Sequence, residues 1–218
     1  MKRNNDILIV LPVIVLLILT SCSKTKIDYY ENGEVRSELT YKGNSLHGRA
    51  VWYHPNGKEM MVSEYDNGSL IGVNRRWYPN GNRESEEMYS NNLRNGKSKR
   101  WNKEGYLMSV DNYVNDTLEG VSLHYYPSGE IRIKGSYKKG LFEGKWTYFD
   151  EEGVVIGEGY FVKGKGLQKS YDYLGKLIRI AEYDKNLKNG KETFFDGKGN
   201  LVNVRYFKEG NPVSDSIK

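Results

Sequence analysis

Few residues of this chain could do chemistry, and their neighbours argue against each of them. The stretch Gly43-Asn44-Ser45-Leu46-His47 comes nearest to a serine nucleophile motif. A nucleophile elbow needs glycine where His47 stands, because its tight turn admits no side chain there. The three histidines, His47, His54 and His124, stand at unrelated positions and give no spacing that would hold zinc. Asp150-Glu151-Glu152 read as a turn before Gly153. A catalytic acid pair needs two environments that separate its pKa values, whereas a solvated turn offers one. Gly157-x-Gly159 and Gly164-x-Gly166 lack the third glycine of a dinucleotide loop, with Val162 and Lys169 in its place. The residues therefore predict a non-enzyme with no catalytic residue, metal site or cofactor.

Cys22 is a different case, since it is the one cysteine of the chain and has no disulfide to serve. Lys2 and Arg3 precede an apolar run from Ile7 to Leu19, which closes on Leu19-Thr20-Ser21-Cys22. The run is shorter than the roughly 20 apolar residues of a membrane span and contains Pro12, so it reads as a secretion signal. Those last four residues resemble the bacterial lipobox, which implies lipidation of Cys22. Acyl chains contribute roughly 0.8 kcal/mol per buried methylene, enough for several chains to hold a protein on a membrane. The expectation is a signal peptide over 1–21, a lipid anchor and short linker over 22–24, and placement at the cell membrane. Ser23 to Lys26 carry no acidic sorting residue, so the periplasm-facing side is expected.

Net charge is +5. Removing Lys2, Arg3 and Asp6 with the signal takes away two positives and one negative and leaves +4. So mild and mixed a balance, without clustered basic residues, excludes nucleic acid as the expected partner. Modest hydrophobicity with abundant glycine and tyrosine also excludes a large conventional core.

What must position any functional residue is a repeat. Gly33, Gly57, Gly81, Gly105, Gly129, Gly153, Gly175 and Gly199 are 24 residues apart, except for 22 between Gly153 and Gly175. Eight residues after each glycine stands a ring: Tyr41, Tyr65, Tyr89, Tyr113, Tyr137, Phe161, Tyr183 and Phe207. Four residues before each glycine stands another, from Tyr29, Tyr53 and Trp77 to Tyr171 and Phe195. Within one unit, Arg49 to His54 reads as a strand, Pro55-Asn56-Gly57 as a turn, Lys58 to Asp66 as the return strand and Asn67-Gly68 as the second turn. A single hairpin is marginal in water, so the units must stack. The predicted fold is all-β: an elongated antiparallel meander of about eight hairpin repeats over 25–213, followed by a polar tail over 214–218.

Alternation along the strands places Val35, Leu107, Ile131, Val155, Leu177 and Leu201 on the face of the second ring column, opposite a face of Lys, Arg, Glu and Asn. The same alternation turns Trp52 and Trp146 away from that ring-bearing face. They are the candidate partner contacts, with packing on the back of the sheet as the alternative.

These columns, with the closing glycines Gly48, Gly72, Gly96, Gly120, Gly144 and Gly190, resemble the MORN-variant repeat family over roughly Thr25 to Val213. The sixth unit departs by being short and ending at Gly166, and the eighth lacks its closing glycine. The resemblance implies a protein-interaction module or scaffold with an unknown protein partner, held at the membrane through the lipid on Cys22. It equally admits an antitoxin or immunity protein of YwqK-like type, whose partner would be a toxin. A structural envelope spacer or cell-wall glycan binder is a further alternative.

Overall fold

The computed structural model describes residues 23–217, with side chains through Val213. Cys22 and the expected signal peptide lie outside the described residues. One representative unit runs through the strand Ser45–Tyr53, a turn at 54–58, the strand Glu59–Asp66 and a turn at 67–68. In the first turn His54 N donates to Lys58 O at 2.8 Å and Gly57 N to His54 O at 2.9 Å, with Gly57 at φ +78. The second turn places both central residues at positive φ, Asn67 at 47° and Gly68 at 84°. That is the two-residue hairpin geometry whose twist matches the flanking strands. Asn91-Asn92, Asn115-Asp116 and Lys139-Gly140 repeat it.

Successive strands pair antiparallel from Ser23–Tyr29 against Val35–Lys42 through to Leu201–Lys208 against Asn211–Ile217, forming one open meander sheet. No element among the described residues is helical. The first strand begins at Ser23, inside the expected linker. The last strand continues to Ile217, which pairs with Asn203, so the backbone of 214–217 belongs to the sheet and is not a free tail.

Turns on the first-turn edge are stitched from unit to unit. Tyr30 Oη donates to Tyr53 O at 2.6 Å, Tyr78 Oη to Trp101 O at 3.0 Å and Tyr126 Oη to Phe149 O at 2.8 Å. His54 occupies the same place, and its Nε2 donates to Trp77 O at 2.8 Å. Where that position is Asp or Asn the turn caps itself instead. Asp172 Oδ1 accepts from Leu174 N and Lys176 N, and Asp196 Oδ1 from Lys198 N and Asn200 N.

Two register irregularities recur and decide which side chains share a face. The first falls just before the first turn, as at Trp52/Tyr53, Arg76/Trp77 and Arg100/Trp101. The second falls near the closing glycine: Leu39 pairs with Ala50 but Tyr41 with Leu46, so one residue on one strand, Thr40, opposes three on the other. The sixth unit pairs without interruption from Gly157↔Ser170 to Val162↔Lys165. Its two missing residues therefore correspond to the missing bulge. This loss draws the second-turn edge together. Asn186 Oδ1 accepts from Phe142 N at 2.7 Å and its Nδ2 donates to Gly140 O at 2.8 Å, reaching across two units. Elsewhere the equivalent bond spans one unit, as from Leu70 N to Asn92 Oδ1 at 2.7 Å.

The pairing Trp52↔Met61, Ala50↔Ser63 and Gly48↔Tyr65 puts Trp52, Ala50 and the second ring column on one face, here called inner. The first ring column lies on the outer face, where Tyr171 Oη donates to Glu158 Oε1 at 3.0 Å. This corrects the expectation of a single ring-bearing face, because the two ring columns are divided between the two sides of the sheet. Simple alternation also fails across the first irregularity. Arg83, which it would place inward, lies over the Trp77 and Trp101 rings at 5.9 and 5.7 Å.

The core is mainly a column down the middle of the inner face, with Val51 buried on the outer face. Its buried members include Ala50, Ser63, Asn74, Ser98, Ser122, Trp146, Gln168, Ala181 and Glu192. Flanking rings roof it. Trp52 meets Tyr65 edge-on at 6.5 Å across the Ala50–Ser63 pair, whose side chains are 1% exposed, and small residues are what fit beneath such a roof.

Candidate binding surfaces

Strand geometry disperses the residues that might have catalysed. Gly43, at φ +62, is a hairpin turn residue and Ser45 begins the strand Ser45–Tyr53, so no nucleophile elbow exists there. His47 Nδ1 lies 3.1 Å from Asp66 Oδ1 without hydrogen-bond alignment, and no hydrogen bond joins the ring to Ser45. His124 faces Asp111 at 3.9 Å, and Asp111 Oδ1 already accepts from Ser122 Oγ at 2.6 Å. Asp150 Oδ1 accepts from Val154 N at 2.7 Å and so serves its own turn. No group of three metal-ligating side chains occurs among the described residues.

The interior glycines serve packing. A Cβ on Gly135 would collide with the Trp146 ring, and one on Gly159 would stand 2.6 Å from the Phe161 ring. Trp146 pairs with Gly159 across the strands and lies against Gly135, so the largest side chain occupies a column from which both neighbours have withdrawn theirs. Its Nε1 donates to Ser136 O at 3.2 Å. Its ring centroid is 4.4 Å from that of Phe142 and 5.1 Å from that of Tyr137. Trp146 is 4% exposed, which corrects its assignment as a partner contact: in this chain it is core. Trp52 is half-buried as the roof described above. Cys22, the expected lipidation site, lies outside the described residues.

Two surface depressions stand out. One, of about 380 Å³, is lined by Arg76, Tyr78, Glu84, Ser85, Glu87, Arg100 and Trp101. Its charges answer one another, Arg76 with Glu84 at 3.7 Å and Arg100 with Glu87 at 3.8 Å. The other, of about 480 Å³, lies on the outer face at the short sixth unit, with the backbone of Gly159 and Gly166 in its floor. Its walls are two rows of cross-strand neighbours, Lys145–Tyr160–Leu167 and Glu158–Lys169. Tyr160 is 67% and Leu167 48% exposed. Lys145 Nζ lies 3.0 Å from Glu158 Oε2, and its hydrogen bond, helped by that of Tyr171, holds the Glu158 carboxyl below the usual carboxylate range. Sequence reasoning missed this groove, although the shortened 22-residue spacing and the paired glycines marked its place.

Comparison with known families adds one decisive finding. The MORN repeat variant profile matches residues 25–42, 46–67, 70–91, 118–139 and 142–163. The chain belongs to the MORN-variant repeat family. The profile matches five units, and the ladder of hairpins carries the same geometry through those it does not match, including the unit of Gly105. MORN-variant membership suggests a protein-interaction or binding module of a generally non-catalytic kind. No curated protein matches the chain. Among solved structures, part of the one titled "Crystal Structure of TcdB2-TccC3-Cdc42" is similar at 10% identity with a TM-score of 0.19. That match covers 87% of this chain and spans 16% of the other, and at so low a score it carries no argument.

Proposed function

We propose that this MORN-variant chain is a protein-binding module tethered to the cell envelope through a lipid on Cys22, presenting the outer face of its sheet to a partner. The observation that carries the binding half of this reading is the solvent-facing groove at the sixth unit, where Tyr160 and Leu167 stand exposed among lysines. Exposed rings and aliphatic side chains rimmed by charge are the usual makings of a contact patch. The rest of the sheet supplies stiffness, because stitched turns and paired strands hold that face open over many units. The tether rests on the lone cysteine at the end of a signal-like segment.

The test is affinity capture with crosslinking and mass spectrometry from membranes bearing the full-length chain, beside Cys22→Ala. The proposal expects one dominant stoichiometric protein partner, and release of Cys22→Ala from the membrane fraction. Recovery of no defined partner would leave a structural spacer, and retention of Cys22→Ala in membranes would remove the lipid anchor.

A further inference from the structure

We infer that the outer-face groove at the sixth unit is the docking site, and that it takes an acidic peptide segment bearing one apolar or aromatic side chain. The inference rests on the binding-module reading and names where the partner sits and what its chemistry is.

The sixth unit lacks the bulge that its neighbours carry, so its strands Val155–Val162 and Lys165–Tyr171 run flat and unbroken beside each other. Gly159 and Gly166 have their Cβ positions on the inner face, against Phe161, so what they present between the two rows of walls is backbone. The groove thus has an apolar end, Tyr160 paired with Leu167, and a charged end, Glu158 paired with Lys169.

The charges decide the partner's sign. The two carboxylates near the groove are held differently. Glu158 takes Lys145 and the Tyr171 hydroxyl, and Glu182, opposite Leu167, accepts the Lys191 amide at 3.0 Å. Lys169 and Lys134 form no ion pair with an acidic side chain among the described residues, although both lie on the outer face within two strands of Glu158. Lys134, Lys145 and Lys169 outnumber Glu158 and Glu182, so the net charge around this groove is positive. An incoming carboxylate meets this excess of lysines, whereas an incoming cation is opposed by it. The exposed Tyr160–Leu167 pair supplies the contact that would fix a single apolar side chain between two acidic ones.

The probe is the capped, fluorescein-labelled pentapeptide Glu-Glu-Phe-Glu-Glu, titrated by anisotropy into the full-length chain in detergent micelles, with Lys-Lys-Phe-Lys-Lys as the opposite-charge control. The inference expects saturable binding of the acidic peptide alone, weakened roughly tenfold or more by Lys169→Glu and by Tyr160→Ala, changes at exposed positions that tolerate substitution. Tyr173→Ala, at an exposed turn outside the groove, should bind as the parent does. A photo-crosslinking form of the peptide should label the strands Val155–Val162 and Lys165–Tyr171. Equal binding by Lys169→Glu and Tyr160→Ala, labelling elsewhere, or preference for the basic peptide would overturn it. A partner captured from membranes equally well by both groove variants would overturn this inference while leaving the binding-module reading intact.

Discussion

Between residues 74 and 122 the central column of the inner face is polar, whereas between 135 and 183 rings and glycine dominate it, with Gln168 and Ala181 among them. Asn74, Ser98 and Ser122 are buried in the first stretch, with Glu87 accepting from Tyr89 Oη at 3.2 Å and Asp111 from Ser122 Oγ at 2.6 Å. In the second, Tyr137, Phe142, Trp146, Phe161 and Tyr183 form an unbroken chain of ring contacts at 4.4 to 5.7 Å. One repeat geometry thus holds two kinds of core. The polar stretch depends on its hydrogen bonds, since an orphaned buried group costs more than a hydrogen bond returns, and Asn74 Oδ1 is such an orphan. The aromatic stretch depends on volume, because rings and glycines must alternate to fill it.

The sharpest way to break that comparison is Trp146→Ala. Removing the ring should leave a cavity over Gly135 and Gly159 and cost about 3–5 kcal/mol, read as a calorimetric shift. A cost near zero would mean that the ring column carries no more stability than the polar one. Gly135→Val attacks the same contact from beneath by driving a side chain into the indole. Overpacking of this kind costs about 1–3 kcal/mol, and Trp146→Ala should relieve part of it in the double variant.

In the polar stretch Asp111→Ala should cost about 1–2 kcal/mol by stranding the Ser122 hydroxyl, and Asp111→Ala with Ser122→Ala should recover some of that loss. If the double variant is as unstable as the sum of the singles, the two groups are not coupled and the polar column is no network.

The smallest effect is spectroscopic. Burial, its largest cause, pushes both Tyr89 and Tyr148 up to about 12, with the Glu87 carboxylate adding to the shift of Tyr89 alone. A tyrosine pKa raised on folding contributes stability that is full below the ordinary value near 10 and is lost as pH rises through about 12. Alkaline titration of the full-length chain should show both late-ionising phenols. Glu87→Gln should bring Tyr89 down while leaving Tyr148 in place, and parallel movement of both would refute separate environments for the two stretches.

Much of the architecture was legible in the residues. The glycine and ring columns, the Asn-Gly second turns and the two-strand unit all follow from local preferences at fixed spacing, and each reappears in the sheet. The facing of side chains was not legible. Alternation over a strand assumes uninterrupted pairing, and a register irregularity between Trp52 and Tyr53 breaks it at that point in the unit. Trp146 looked like a surface tryptophan because the space it fills is made by Gly135 and Gly159, on strands whose register no local signal states. The groove at the sixth unit was half-visible, since the two-residue shortening marked where the repeat departs but not that a bulge was lost there.

The sequence by itself determined the period, the hairpins and the antiparallel order, because turn chemistry and strand propensity act over a few residues and repeat unchanged. Only the tertiary structure decided which rings are core, which face stays open and which lysines stand unpaired. Those outcomes depend on register between neighbouring strands, where a two-residue bulge, or its loss, changes which side chains meet.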